Sequence, residues 1–195
     1  MGCQSNGAHR SAPAEERLNI FALVIYIPDP LGRFLDDLRR ELVPAYNPHA
    51  HVSVLPPRPL AVDWREASRR ACALSERWAP FEIELTSIGI FPVTNVVYVE
   101  VGKGAAELTQ IHRSMNADAA LHFEEPFQYH PHTTLAQEIP QGSVAGVYEL
   151  AKRRWSEYQG ARSFRAEHAV FVQNTLQNCW IDLAEYSFGA IPAKI

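Results

Sequence analysis

The sequence predicts an α+β fold made by duplication, in which two halves of the chain repeat one order of elements. Three observations lead there. Apolar residues switch between helical and strand spacing along most of the chain. Elements of the second half follow those of the first at an offset close to 81 residues. A His-x-His-x-hydroxyl pattern stands once in each half, at His51 and at His132, and these are separated by that same offset.

Residues 19–28 are rich in branched and aromatic side chains and stop at Pro28-Asp29-Pro30, which predicts a strand. Leu31, Phe34, Leu35, Leu38 and Leu42 recur at helical spacing and predict a helix over 31–43. Residues 51–55 read as a short strand ended by Pro56 and Pro57. Asp63 is placed to cap a helix reaching about residue 78, with Glu66 three positions on. Residues 81–91 and 95–101 alternate as two strands turning at Pro92-Val93-Thr94. The second half then gives a helix over about 105–120, a strand near 132–136, a helix over about 143–158, and a hairpin of 163–173 with 177–186 turning at Asn174-Thr175.

Hydrophobic residues fill 47% of the 195 positions and charged ones 21%. That balance excludes wholesale disorder, a collagen-like fibre and a disulfide-stapled miniprotein. A formal net charge of -4 offers no general basic field to long nucleic acid. The longest apolar run, 20–27, is too short to span a bilayer, so no membrane partner is expected. Cys3, Cys72 and Cys179 are scattered and form no Cys-x-x-Cys pair, which reads as reduced thiols and a cytoplasmic location. Residues 1–17 lack the apolar stretch of a secretory signal, and Asn6 stands where a myristoylation motif has Ser or Thr. They are expected to form a disordered polar tail. One bilobal domain is expected over 18–195, with lobes near 18–102 and 103–195 that can exchange strands, acting as a monomer.

His-x-[Ser/Thr] alone is a weak pattern. Four matches occur, and those at His9 and His112 fall in the tail and in a predicted helix, where they are read as coincidence. The other two share a longer frame. One is Tyr46-Asn47-Pro48-His49-Ala50-His51-Val52-Ser53-Val54, the other Phe127-Gln128-Tyr129-His130-Pro131-His132-Thr133-Thr134-Leu135. Composition alone predicts about 0.03 occurrences of His-x-His-x-[Ser/Thr], so two at equivalent places carry information.

Strand geometry explains the spacing. Side chains at i and i+2 leave the same face, so His51 points with Ser53 and His132 with Thr134. If a pseudo-twofold axis relates the halves, the four groups converge on a cleft between lobes. Two facing imidazoles, each beside a hydroxyl, suit phosphoryl transfer. One ring takes a proton from the attacking oxygen, the other gives one to the leaving oxygen, and the hydroxyls hold the non-bridging oxygens.

His51-Val52-Ser53-Val54 and His132-Thr133-Thr134-Leu135 resemble the paired H-x-[T/S]-x motifs of the 2H phosphoesterase superfamily. That group includes bacterial 2′-5′ RNA ligase-like proteins and cyclic nucleotide phosphodiesterases, and the resemblance runs from Asn19 to Tyr186. It implies two antiparallel sheets flanking a central cleft, with helices outside. It further implies metal-independent cleavage or formation of 2′-linked phosphoesters, with no cofactor. His51 and His132 would be the acid/base pair, and Ser53 and Thr134 the phosphate holders. Ser53 departs from the commoner Thr, and Gln137 stands where some relatives have a basic residue.

Tyr26, Arg58, Tyr98, His130 and Gln137 are further candidate contacts to a small nucleotide or RNA-end phosphoester. Phe91 and Phe171 could stack on a base, although filling the core is the first reading of any strand aromatic. His49 is read as shaping the first motif, and His112, His122 and His168 are given no chemical role. Two other classes stay open. His-x-His on a strand is also a metal-ligand spacing, with Glu124 and Glu125 nearby in sequence. A non-catalytic nucleotide- or RNA-end-binding module is the third.

Overall fold

A computed structural model describes residues 16–44, 47 and 49–189. The predicted tail lies outside these residues up to position 15, as do Tyr46 and Pro48 of the first motif's frame. Arg17, assigned to the tail from sequence, already opens the first strand.

The described elements run β1 (Arg17–Tyr26), α1 (Leu31–Leu42), β2 (His51–Arg58), α2 (Trp64–Ser75), β3 (Phe81–Ile90) and β4 (Val97–Val101). They continue with α3 (Ala105–Asn116), β5 (His132–Ala136), a 3-10 turn at Gln141–Ser143, α4 (Val144–Glu157), β6 (Ser163–Ala166), β7 (His168–Thr175) and β8 (Trp180–Ser187). Leu31, Leu35, Leu38 and Leu42 form the buried stripe of α1, and Arg39 and Arg40 lie in its last turn, where the helix dipole favours cations. The Asp63 side chain caps α2 by accepting the Arg65 N–H at 2.9 Å.

Two four-stranded antiparallel sheets result, in the orders β2-β1-β7-β8 and β5-β4-β3-β6. Each sheet takes two strands from each half of the chain. α3 packs on β2, α2 on β7 and β8, and α4 on β3 and β4, while α1 lies against β5 and α4. The main core lies between sheets and helices and includes Leu23, Leu35, Val52, Leu85, Ile111 and Leu135. A second, smaller cluster of Ala22, Val24, Val170 and Val172 covers part of the other face of the first sheet, flanked by Tyr26 and Trp180.

Among the boundaries that differ from the sequence reading, three have a reason in the pairing or the turn. β2 runs on through Pro56 and Pro57 to Arg58. As the edge strand of its sheet it tolerates residues that lack an N–H. The stretch 163–173, predicted as one strand, is two: β6 pairs with β3 in one sheet, and after Glu167 β7 pairs with β1 and β8 in the other. Alternation along a strand cannot show a change of sheet. The last turn falls at 176–179 instead of at Asn174-Thr175. Asn178 supplies the left-handed backbone there (φ 55°), and Thr175 and Cys179 close the turn with an N–H···O=C bond of 3.0 Å.

Candidate active site

Both motif strands are sheet edges, and the two edges approach one another: β2 contacts β5. Residues directly opposite in an antiparallel pair share a face. His51 lies opposite Tyr26 and Ser53 opposite Val24, so the first motif sits on the face that carries the small Ala22–Val24–Val170–Val172 cluster. On the second sheet His132 lies opposite Glu100 and Thr134 opposite Tyr98. The alternation is sharp. Val52, Val54, Thr133 and Leu135 are fully buried, whereas His51, Ser53, His132 and Thr134 keep partial exposure.

The two motifs repeat one local device. His51 Nδ1–H donates to the His49 carbonyl at 2.8 Å, and His132 Nδ1–H donates to the His130 carbonyl at 2.7 Å. A carbonyl only accepts, so each ring is fixed in the tautomer protonated at Nδ1. Each Nε2 keeps a lone pair with no protein partner among the described residues. Burial pushes His51 down to about 4 from the ordinary 6.5, and the positive charges of Arg39, His132 and His49 push the same way. His51 and His132 open the two strands, β2 and β5, that contact one another. Burial also holds His132 below the ordinary value; the hydrogen bond to the His130 carbonyl and the Glu100 charge oppose this, while the His130 charge adds to it.

A buried polar network ties β2 to α3 and to the segment 121–129 that leads into β5. The Tyr129 hydroxyl donates to the Ser53 carbonyl at 2.7 Å. Its ring stacks flat on His112, centroids 3.8 Å apart, and His112 Nδ1–H donates to the Val54 carbonyl at 2.9 Å. His112 Nε2 lies 3.6 Å from Glu125, which pairs with Arg58. Arg58 also donates to the Asn116 side chain and to the Leu121 and Pro56 carbonyls, and it is only 2% exposed.

This corrects the reading of Arg58 as a phosphate contact. Its guanidinium is spent on the network and turned away from solvent. Phe171 is likewise no stacking platform, being buried in the core against Phe21. His112, a discarded motif match, has a structural role at Val54. The other candidates are placed as follows. Tyr26 presents its ring edge to His49 and His51, and its hydroxyl donates to Asp182 at 2.7 Å. Tyr98 stacks on Phe91 at 4.1 Å, and both lie edge-on to His130 and His132. Gly89 makes room for this stack, since a Cβ there would fall 2.5–2.9 Å from Tyr98 ring atoms. His130 Nε2 meets Glu100 at 2.9–3.0 Å. Gln137 is exposed just beyond β5.

Sequence reasoning missed Asp36, whose carboxylate accepts the His49 N–H at 2.9 Å, and Glu100. The signal for Glu100 was present, because it alternates with Tyr98 on one strand face. Among the described residues no three His, Cys, Asp or Glu side chains cluster as a metal ion requires, and Glu125 is engaged by Arg58. No described helix is long and apolar enough to cross a membrane.

The depressed histidines give the fold a pH signature. His51, His112 and His132 all sit below the ordinary value because burial penalises their charged forms. The unfolded chain therefore binds protons first as pH falls, and stability drops with it. The urea midpoint is expected to be level above about pH 6.5 and to decline from there toward about pH 4, beginning before carboxylates titrate. A midpoint unchanged from about pH 7 to pH 5 would contradict this.

The sequence model of the 2′-5′ RNA ligase superfamily matches residues 27–178. A sequence search among curated proteins gives no significant match. Solved structures with the same fold include E. coli LigT in its apo form, at 16% identity and TM-score 0.62, covering 89% of this chain and 98% of that one. TT0787 of Thermus thermophilus is similar at 14% identity and TM-score 0.62, covering 88% and 98%. Kluyveromyces marxianus Usb1 aligns at 12% identity and TM-score 0.52, covering 88% and 99%. E. coli LigT has also been solved with 3′-AMP, NADP+, phosphate and ATP.

Proposed function

The chain belongs to the 2′-5′ RNA ligase superfamily of 2H phosphoesterases, and from that premise we propose that it is a metal-independent phosphodiesterase acting on a 2′,3′-cyclic phosphate or a related 2′-linked phosphoester. The substrate is a small nucleotide or an RNA end. One observation carries the reading: two imidazoles on contacting edge strands, tethered alike at Nδ1, each keep an Nε2 with no partner among the described residues. In-line displacement at phosphorus needs one proton removed and one delivered on opposite sides, and a matched pair of rings supplies both. Ser53 and Thr134 donate their hydroxyl hydrogens to the non-bridging oxygens as charge grows there. The same geometry run backwards forms a 2′-5′ linkage.

A net charge of -4 offers no basic field to a long polyanion, which leaves a short substrate as the better match. The nucleotides and phosphate seen in LigT complexes support a small phosphorylated ligand for a fold of this kind. The deciding assay offers 2′,3′-cyclic nucleotides and short 2′-5′-linked oligonucleotides with excess chelator. Turnover at an undiminished rate, giving one phosphomonoester isomer, is expected. Loss of activity on chelation together with stoichiometric metal would install a metallohydrolase instead. Tight nucleotide binding by calorimetry with no product would leave a binding module.

A further inference from the structure

The two motifs are alike in their tethers and unlike in what anchors the tethers. On the first side both anchors come from α1. Asp36 Oδ2 accepts the His49 N–H at 2.9 Å, and Arg39 Nη1 lies 3.3 Å from Asp36 Oδ1. This holds His49 in a left-handed conformation (φ 70°) that a non-glycine residue adopts only where its surroundings impose it. The His49 carbonyl is thereby aimed at His51 Nδ1. The groups that bear on His51 are Arg39 from α1, His49 from its own motif and His132 from β5, with the Tyr26 ring edge from β1. Each of the three charges resists a proton on His51.

On the second side the anchor is a carboxylate. Glu100 on β4 lies opposite His132 in register, and both of its oxygens lie within 2.9–3.0 Å of His130 Nε2. The groups that bear on His132 are His130 and Glu100, with the edges of Tyr98 and Phe91, and its own charge bears on His51. Here one negative charge favours a proton, whereas no carboxylate among the described residues bears on the His51 proton in this way.

We infer that Glu100, through its charge and its hold on His130, is a positioning residue that makes His132 the proton donor of the pair, while Asp36 and Arg39 keep His51 the uncharged acceptor. The inference rests on the phosphodiesterase reading above. In ring opening, a water O–H proton passes to His51 Nε2 as the water oxygen forms its bond to phosphorus. The bond from phosphorus to the leaving ribose oxygen breaks, its electron pair stays on that oxygen, and the oxygen takes the Nε2 proton of His132, which enters the step as the imidazolium with both ring nitrogens protonated. Solvent then returns each ring to its starting state.

The test is a ring-nitrogen NMR titration of the full chain, with resonances assigned through His51→Gln and His132→Gln, alongside the pH profile of kcat/KM on a 2′,3′-cyclic nucleotide. In the wild type His132 is expected to take up its proton at higher pH than His51. Glu100→Gln should lower the His132 midpoint by about one pH unit. It should move the alkaline limb of the profile down by the same amount and leave the acid limb in place, while Glu100→Asp keeps the wild-type limb. A His51 midpoint above that of His132, or an alkaline limb unmoved by Glu100→Gln in a folded variant, would overturn the assignment. The titration needs no substrate. Absence of turnover on every cyclic phosphodiester would therefore sink the functional reading, while the order of the two rings would still be decided.

Discussion

His51→Ala and His132→Ala are each expected to lower kcat on a 2′,3′-cyclic nucleotide by about 10²–10⁴-fold, the range for loss of a general acid or base. Neither change should unfold the protein, because both rings are partly exposed and lie on sheet edges, away from the main core. The double variant should be little worse than either single one, since a proton taken up on one side is useful only if one is delivered on the other. Steady-state kinetics with near-ultraviolet circular dichroism on the same samples reads both parts. Wild-type turnover in either single variant would remove that ring from the chemistry. Losses that multiply fully in the double variant would mean that the rings act independently.

Arg58→Met should cost about 3–5 kcal/mol of stability, as when one partner of a buried ion pair is removed. Glu125 is then left with an unpaired charge in a site that is only 12% exposed. The Leu121 carbonyl and the Asn116 side chain lose their donor as well. Adding Glu125→Leu to Arg58→Met should restore much of the loss, because the buried charge goes with its partner. Urea unfolding at constant slope measures both variants. A cost below about 1 kcal/mol for Arg58→Met, the level of a surface pair, would show that the network does not brace the first motif strand.

Much of this site can be read from the chain. His51, Ser53, His132 and Thr134 follow from period-two alternation and from the recurrence of one frame, and both are local properties of strands. Helix α1 and the cap at Asp63 are equally local. What could not be read depends on tertiary partners. Arg58 follows closely on the first motif and looked available for phosphate. Its fate is set by Asn116, Leu121 and Glu125, which no local pattern connects to it. Asp36 is concealed similarly, as a charged residue on an amphipathic helix whose carboxylate happens to meet the His49 backbone. The break between β6 and β7 leaves the apolar alternation intact, so only the pairing partners reveal it.

Strand β1 sits between β2 and β7, with Leu23 matched to Leu55 on one side and to Phe171 on the other. A growing polypeptide can therefore zip β1 to β2 early. One flank of β1 stays bare until Phe171 and its neighbours have left the ribosome. The second sheet waits too, since β6 must arrive to cover the outer edge of β3. Bare strand flanks invite pairing with other chains, and contacts so far apart along the chain slow maturation. Interlacing the two halves holds the histidine strands together in the finished molecule, and it leaves that molecule most vulnerable to clumping just before the last hairpin closes.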